Sequence, residues 1–342
     1  MNFSKQRGVS LIELMVSITI GLILLAGVLS IFLSSKVTYF ANEKTARIQE
    51  NGRVALDLLQ HDVRSAGFNG CARSVPFTST LNTPNTLLWS YQNPLQGFEA
   101  VGAAWSPALA AGTLNPAPLA GSDILVTRGV QRDGISRRMQ VANTSTTGDP
   151  RVLSATAVPV GTIMLITNCE AASVFQVTGY AAGAPATISH AAGGSGPGNS
   201  TNDLGWLYPD GSRVTPLATV IYYIANDPVT GEPSLYRQTG ATQPADLLIE
   251  GVEAMQIAYA EDTTSDRVAD VNRPANLVAD WDNVMSVSLA LLVRSEEQGT
   301  DIDTKTYQLL PAALGGALVD PVDDRRMRMV FTTTAALRNR AW

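Results

Sequence analysis

The chain has 342 residues, with 24 Lys and Arg against 30 Asp and Glu, a formal net charge of −6. Hydrophobic residues make up 45% and charged residues 16%, which supplies a packed core and excludes a disordered chain. The acidic balance, with a pI of about 5.0 and no basic run, argues against nucleic acid as a partner.

In chain order, the first element is an apolar run over residues 9–33, preceded by Lys5 and Arg7 and carrying one charge, Glu13. A bilayer span needs roughly 20 apolar residues, so the segment is long enough to cross a membrane. A carboxylate inside such a span costs on the order of 2.5–3.5 kcal/mol at the bilayer centre, which makes Glu13 a functional candidate. The basic flank predicts that residues 1–8 stay on the cytoplasmic side while the bulk lies beyond the membrane. A secretory signal peptide fits poorly, because the run is too long and no small-x-small site follows it. A plain signal anchor explains length and flank but leaves Glu13 without a role. Ser17 and Gly21 add a small-xxx-small spacing that lets helices approach.

The helical pattern then continues. Ser34 to Ala66 holds no Pro and one Gly, Gly52. Ala41, Ile48, Ala55, Leu59 and Val63 share one helical face, and Gly67 is a natural stop. The spacing predicts one helix over residues 9–66, about 85 Å long at 1.5 Å per residue. Residues 72–122 are rich in Pro, Asn, Ser, Ala and Gly and read as loops, with a short strand near Leu87–Tyr91. Further strands are expected at 123–128, 162–167, 172–177, 219–225, 234–237, 252–259, 283–294 and 327–334. Residues 181–200 read as loop, with Gly193–Gly198 exposed. One long helix followed by many short strands argues an α+β fold, the helix packed on an antiparallel β-sheet globular domain. The chain divides into residues 1–8, an apolar half-helix at 9–33, an amphipathic half-helix at 34–67 and a β-rich globular domain at 68–342.

Few residues point to chemistry. Cys71 and Cys169 could be free thiols, metal ligands or a bridge. A single disulfide is the economical reading for a chain that leaves the cytoplasm, because His61 and His190 offer no zinc spacing. Asp262, Asp266 and Asp270 occupy the first, fifth and ninth places of a calcium-type loop, but Thr264, Arg267 and Arg273 stand where an acid, Gly and Glu belong. A solvated acidic turn is the preferred reading there. Arg325, Arg326, Arg328, Arg338 and Arg340 suit a surface strand edge or a partner-binding patch. No nucleophile elbow, phosphate loop, H-E-x-x-H or dinucleotide motif occurs, so a non-enzymatic protein without a cofactor is expected.

Lys5-Gln6-Arg7-Gly8 followed by Val9-Ser10-Leu11-Ile12-Glu13-Leu14 resembles the type IV prepilin signature. Ile48-Gln49-Glu50-Asn51-Gly52-Arg53, Gly67-Phe68-Asn69-Gly70-Cys71, Ser122-Asp123-Ile124-Leu125, Thr167-Asn168-Cys169, Leu248-Ile249-Glu250-Gly251-Val252 and Phe331-Thr332-Thr333-Thr334-Ala335 are, in that order, similar to the PilW family of type IV pilus minor pilins. The resemblance implies a prepilin leader at 1–8, cleavage after Gly8 by a prepilin peptidase, methylation of the new amino terminus at Val9, and an assembly role for Glu13. It implies an inner-membrane protein with a periplasmic domain that moves into the pilus, at its tip. Its partners there would be other minor pilins, the major pilin, a PilY-type adhesin and the inner-membrane assembly platform, with roles in twitching motility and adhesion. A minor pseudopilin of type II secretion shares the leader chemistry. A membrane-anchored periplasmic binding domain or enzyme is the alternative of another class.

Overall fold

The computed structural model describes residues 10–68, 70, 75–153, 156–296, 298 and 302–338. The chain divides into two compact units, residues 1–47 and residues 48–342.

A single helix, α1, covers Leu11–Ser65, close to the expected 9–66. In the first unit its apolar side chains are exposed throughout, from Leu11 at 79% to Phe40 at 43%. In the second unit Ile48, Gly52, Ala55, Leu59 and Val63 are buried. These recur every three or four residues, the spacing of one helical face. Ala41, expected on the same stripe, is exposed.

That buried face enters a core shared by two sheets. Leu125, Tyr222, Ile224 and Leu235 come from the first sheet, and Met255, Ile257, Leu289, Leu291, Val293 and Ala335 from the second. Among the described residues the first sheet holds thirteen strands and is organised by one long strand, Arg213–Asn226. Its second half pairs antiparallel with Ile124–Val130 and Pro233–Thr239. Its first half pairs with Ile163–Thr167 and Arg137–Val141, over a separate core containing Met139, Val152, Met164, Phe175, Ile188 and Tyr208. The second sheet runs in the order Val271–Arg273, Val252–Glu261, Val284–Arg294, Arg328–Ala336. The α+β reading holds, and the pairing is antiparallel except for Phe77–Ser79, which runs parallel to Ala172–Val174.

Several segments differ from expectation, Phe77–Ser79 and Arg137–Val141 among them as strands that were not expected, and three are instructive. Leu87–Tyr91 forms turns, not a strand. Its main-chain carbonyls are committed elsewhere: Leu87 accepts from the buried Arg128 guanidinium and Leu88 accepts from the Thr219 hydroxyl. Leu95–Val101 is a strand inside the stretch expected as loop, paired with Ile124–Val130. Ala186–Ser189 is a strand inside the Ala/Gly-rich stretch, and buries Ala186 and Ile188.

Two glycines are set by close approach. A Cβ on Gly52 would overlap the Phe331 ring, and a Cβ on Gly97 would overlap the Tyr259 hydroxyl. Phe331 is partly exposed and has room to move, whereas Tyr259 is fully buried. Gly97→Val is therefore expected to destabilise the fold by roughly 1–3 kcal/mol through overpacking. Urea unfolding of the purified protein checks this, and Gly52→Ala is expected to cost less in the same assay.

Candidate functional site

The first candidate is the N-terminal part of α1. Ser10 precedes the helix, and its hydroxyl oxygen accepts from the Glu13 N–H at 3.2 Å. The Glu13 carboxylate in turn accepts from the Ser10 N–H at 3.3 Å and faces the Ser10 hydroxyl at 3.4 Å. This is a capping box, which satisfies two orphan donors reciprocally at a helix start. Glu13 thus already has a local structural task, and its signal, Ser-x-x-Glu, stands in the sequence at residues 10–13. Gly8 and Val9 lie outside the described residues. The Ser17 hydroxyl donates to the Glu13 carbonyl at 2.7 Å. Space is open around a Cβ on Gly21, so the Ser17/Gly21 face is free for a close neighbour. An 18-residue stretch of this helix reaches a mean hydropathy of 2.6 with none of it buried. Length and composition alone suit it to a membrane.

The second candidate is the far end of α1. The Tyr222 hydroxyl donates to Asp62 at 2.7 Å, and Arg132 donates to the same carboxylate at 3.3 Å. The helix carbonyls at this end are met in turn. Asp62 accepts from the Ser65 hydroxyl, Val63 from the Ala66 N–H, Arg64 from the Arg338 N–H and Ser65 from the Phe68 N–H. Burial, reinforced by Asp62, raises the Tyr222 phenol well above its ordinary range.

Cys169 sits at a positive φ of 66° in the turn after Ile163–Thr167. Its Sγ is 3.9 Å from the Gly70 carbonyl oxygen, and no free cysteine occurs among the described residues. Cys71, one residue beyond Gly70, lies outside them.

The acidic loop is organised by its own main chain. Asp262 accepts from the N–H groups of Thr264, Ser265 and Arg267 at 3.0, 2.6 and 2.7 Å. Asp270 accepts from the Thr263 N–H at 2.7 Å, and Asp266 from the Val268 N–H at 2.9 Å. The three carboxylates behave as turn-forming acceptors. No group of three or more His, Cys, Asp or Glu placed to hold a metal ion occurs among the described residues.

Of the arginines near the C-terminus, Arg325 and Arg338 are exposed as expected, but Arg326 and Arg328 are drawn into a buried network. The Arg328 side chain is fully buried. It donates to Glu253 at 2.7 and 3.2 Å and to Asp324 at 2.8 Å. Arg294 bridges Glu253 and Glu232 at 3.2 and 2.6 Å, and Arg326 reaches Glu232 at 2.7 Å. Burial pulls the Arg328 guanidinium down, but its bonds to Glu253 and Asp324 outweigh this and hold it above its ordinary value. The network ties the start of the last strand to three others. Arg340 lies outside the described residues.

A buried acid pair joins the two sheets and is not legible in the sequence. Asp123 accepts from the Ala100 N–H at 2.9 Å and the Ile257 N–H at 2.8 Å, one donor from each sheet. Glu99 accepts from the Ala275 N–H at 3.3 Å. Burial, and then the nearby Glu99 charge, push the Asp123 carboxyl up to about 8. A carboxyl raised in the folded state contributes stability that is whole below its unfolded pKa near 4 and is lost as pH rises through the folded value. The thermal midpoint should therefore fall between about pH 5 and about pH 8. Asp123→Asn should flatten that slope, and an unchanged slope in the variant would assign it to other groups.

Residues 221–339 match the family described as Type IV Pilus-assembly protein W, PilW. Residues 3–29 match the Prokaryotic N-terminal methylation motif. Among curated proteins none matches. The Type IV-like pilin TTHA1219 from Thermus thermophilus is similar in structure at a TM-score of 0.37 and 11% identity, over 86% of this chain and 98% of that one. With the methylation motif at one end and the family match over residues 221–339 at the other, the chain is type IV pilin-like. Its similarity within that class is to the PilW family, which supports a pilus-related protein.

Proposed function

We propose that this chain is a minor pilin that helps initiate type IV pilus assembly within a minor-pilin complex at the pilus tip. The observation that carries the reading is the division of α1. Residues 11–42 present an apolar helix surface with no buried side chain, while Ile48–Val63 fill the core of the second unit. Such an apolar helix is stable only in lipid or against other helices. A prepilin peptidase cuts after Gly8, and Val9 becomes the methylated terminus. The globular domain waits in the periplasm until the assembly platform moves the helix from the inner membrane into the filament. Other minor pilins, the major pilin and a PilY-type adhesin are the partners. The protein supports twitching motility and adhesion and performs no catalysis. Cys71 pairs with Cys169, as the 3.9 Å approach of Cys169 Sγ to Gly70 suggests. The bridge would close a loop of nearly a hundred residues, worth on the order of 4–5 kcal/mol in the chain-entropy model.

Intact mass and N-terminal sequencing of the membrane-extracted protein test both points. A methylated start at Val9 and no alkylation of the unreduced protein are expected. A start at Met1 would make this a plain anchored protein, and alkylation at two thiols would remove the bridge.

A further inference from the structure

Helix α1 ends at Ser65, but the sheet face beneath it continues. Leu125, Tyr222 and Arg237 lie side by side on neighbouring strands, and the next row is Thr127, Val220 and Thr239. The first row lies under the last turns of the helix, where Tyr222 meets Asp62. The second row is floored by shorter side chains and opens into a cavity of about 430 Å³. Its walls are the helix end at His61, Asp62 and Ser65, the turn at Arg132 and Asp133, and Phe68, which is 45% exposed.

The donors and acceptors of this cavity do not balance. Asp62 accepts from Tyr222 and Arg132, and its Oδ1 lies 3.0 Å from His61 Nδ1. Arg132 makes one bond, at 3.3 Å, and keeps 40% of its side chain exposed. Arg237 contacts Asp246 at 3.5 Å, and its Nε is buried without an acceptor. A guanidinium carries five N–H donors in a fixed fork that matches a carboxylate. A buried donor left unmet costs free energy that an incoming acceptor recovers.

We propose that this cavity is a docking site for an acidic segment of a partner subunit, whose Asp or Glu side chain is held between Arg132 and Arg237. The volume falls in the range of specific ligand sites and exceeds what one carboxylate fills. The uncovered Phe68 ring offers an apolar contact to the residues flanking it. Charge complementarity sets the occupant: the buried group without a partner is the Arg237 guanidinium Nε, the exposed Arg132 guanidinium stands beside it, Asp62 is already engaged, and Asp133 lies exposed on the rim.

The test uses the full chain in detergent micelles. The probes are a capped peptide of Glu and Leu carrying a fluorophore, its glutamine counterpart, and sodium succinate. The acidic peptide is expected to bind in a salt-sensitive way, and the glutamine peptide and succinate are expected to bind at least about tenfold more weakly. Arg237→Gln should weaken the acidic peptide by about tenfold, the value of one charge-assisted bond, and Arg237→Lys should restore part of it. Arg132→Gln, at a more exposed position, carries the same expectation and guards against a folding defect at Arg237. Peptide affinity unchanged in both variants, or equal binding of the glutamine peptide, overturns the site. Succinate binding as tightly as the peptide overturns the partner assignment in favour of a free small acid.

Discussion

Arg328→Met should destabilise the globular unit by roughly 3–5 kcal/mol, the cost of removing one partner from a buried ion pair. The side chain is fully buried and its guanidinium serves Glu253 and Asp324 at once. Its loss leaves Asp324 without its closest cation. Arg294 still holds Glu253 at 3.2 Å, which places the expected value at the lower end of that range. Arg328→Lys keeps the charge but not the two-pronged geometry, so its cost should be intermediate. The measurement is the urea midpoint of the detergent-solubilised chain at neutral pH. A shift below about 1 kcal/mol, the value typical of an exposed pair, would mean that the network is solvated.

Replacing Glu13 separates its place in the capping box from the charge pairing proposed for assembly. The capping box accepts either Glu or Gln at its third helical position, so Glu13→Gln keeps the helix start while removing the charge. Glu13→Val removes both. If charge pairing with an amine of a neighbouring subunit drives assembly, both variants should insert into the membrane and be processed, yet incorporate into pili at no more than about a tenth of the wild-type level, the factor that about 1.4 kcal/mol provides. Quantitative immunoblotting of sheared pili reads this. Normal incorporation of the glutamine variant alongside failure of the valine variant would reduce Glu13 to a helix cap.

The sequence was most legible where one periodicity ran without competition. The α1 stripe at Ile48, Ala55, Leu59 and Val63 is buried as its spacing indicates, because each side chain meets a core residue of a sheet. The apolar run at Ile163–Thr167 and the alternating pattern over Val284–Arg294 were also visible as strands. Leu87–Tyr91 misled because its composition suits a strand, while the need of Arg128 for carbonyl acceptors, set by residues far along the chain, decides its path. The candidate sites divided the same way. Glu13 stood out as a lone charge in an apolar run. Asp123 looks like any strand-start aspartate, and only the meeting of two sheets gives it its buried partner. The C-terminal arginines read as surface because charge is normally solvated. Arg325 and Arg338 are indeed exposed, while the burial of Arg326 and Arg328 depends mainly on Glu232 and Glu253, which are distant in sequence and carry no spacing signature.

The strand Arg213–Asn226 has a consequence for how such a protein can diversify. The PilW match begins at residue 221, inside this strand. Downstream lie most of the strands that meet α1, with Leu95 and Leu125 from upstream strands completing that core. Upstream, the same strand supports the separate core around Met139, Phe175 and Tyr208. A continuous backbone therefore joins the core under α1 to this second core without a linker between them. The second core can change its loops freely but cannot drift relative to the core under α1, since a one-residue slip of the common strand would turn both cores inside out.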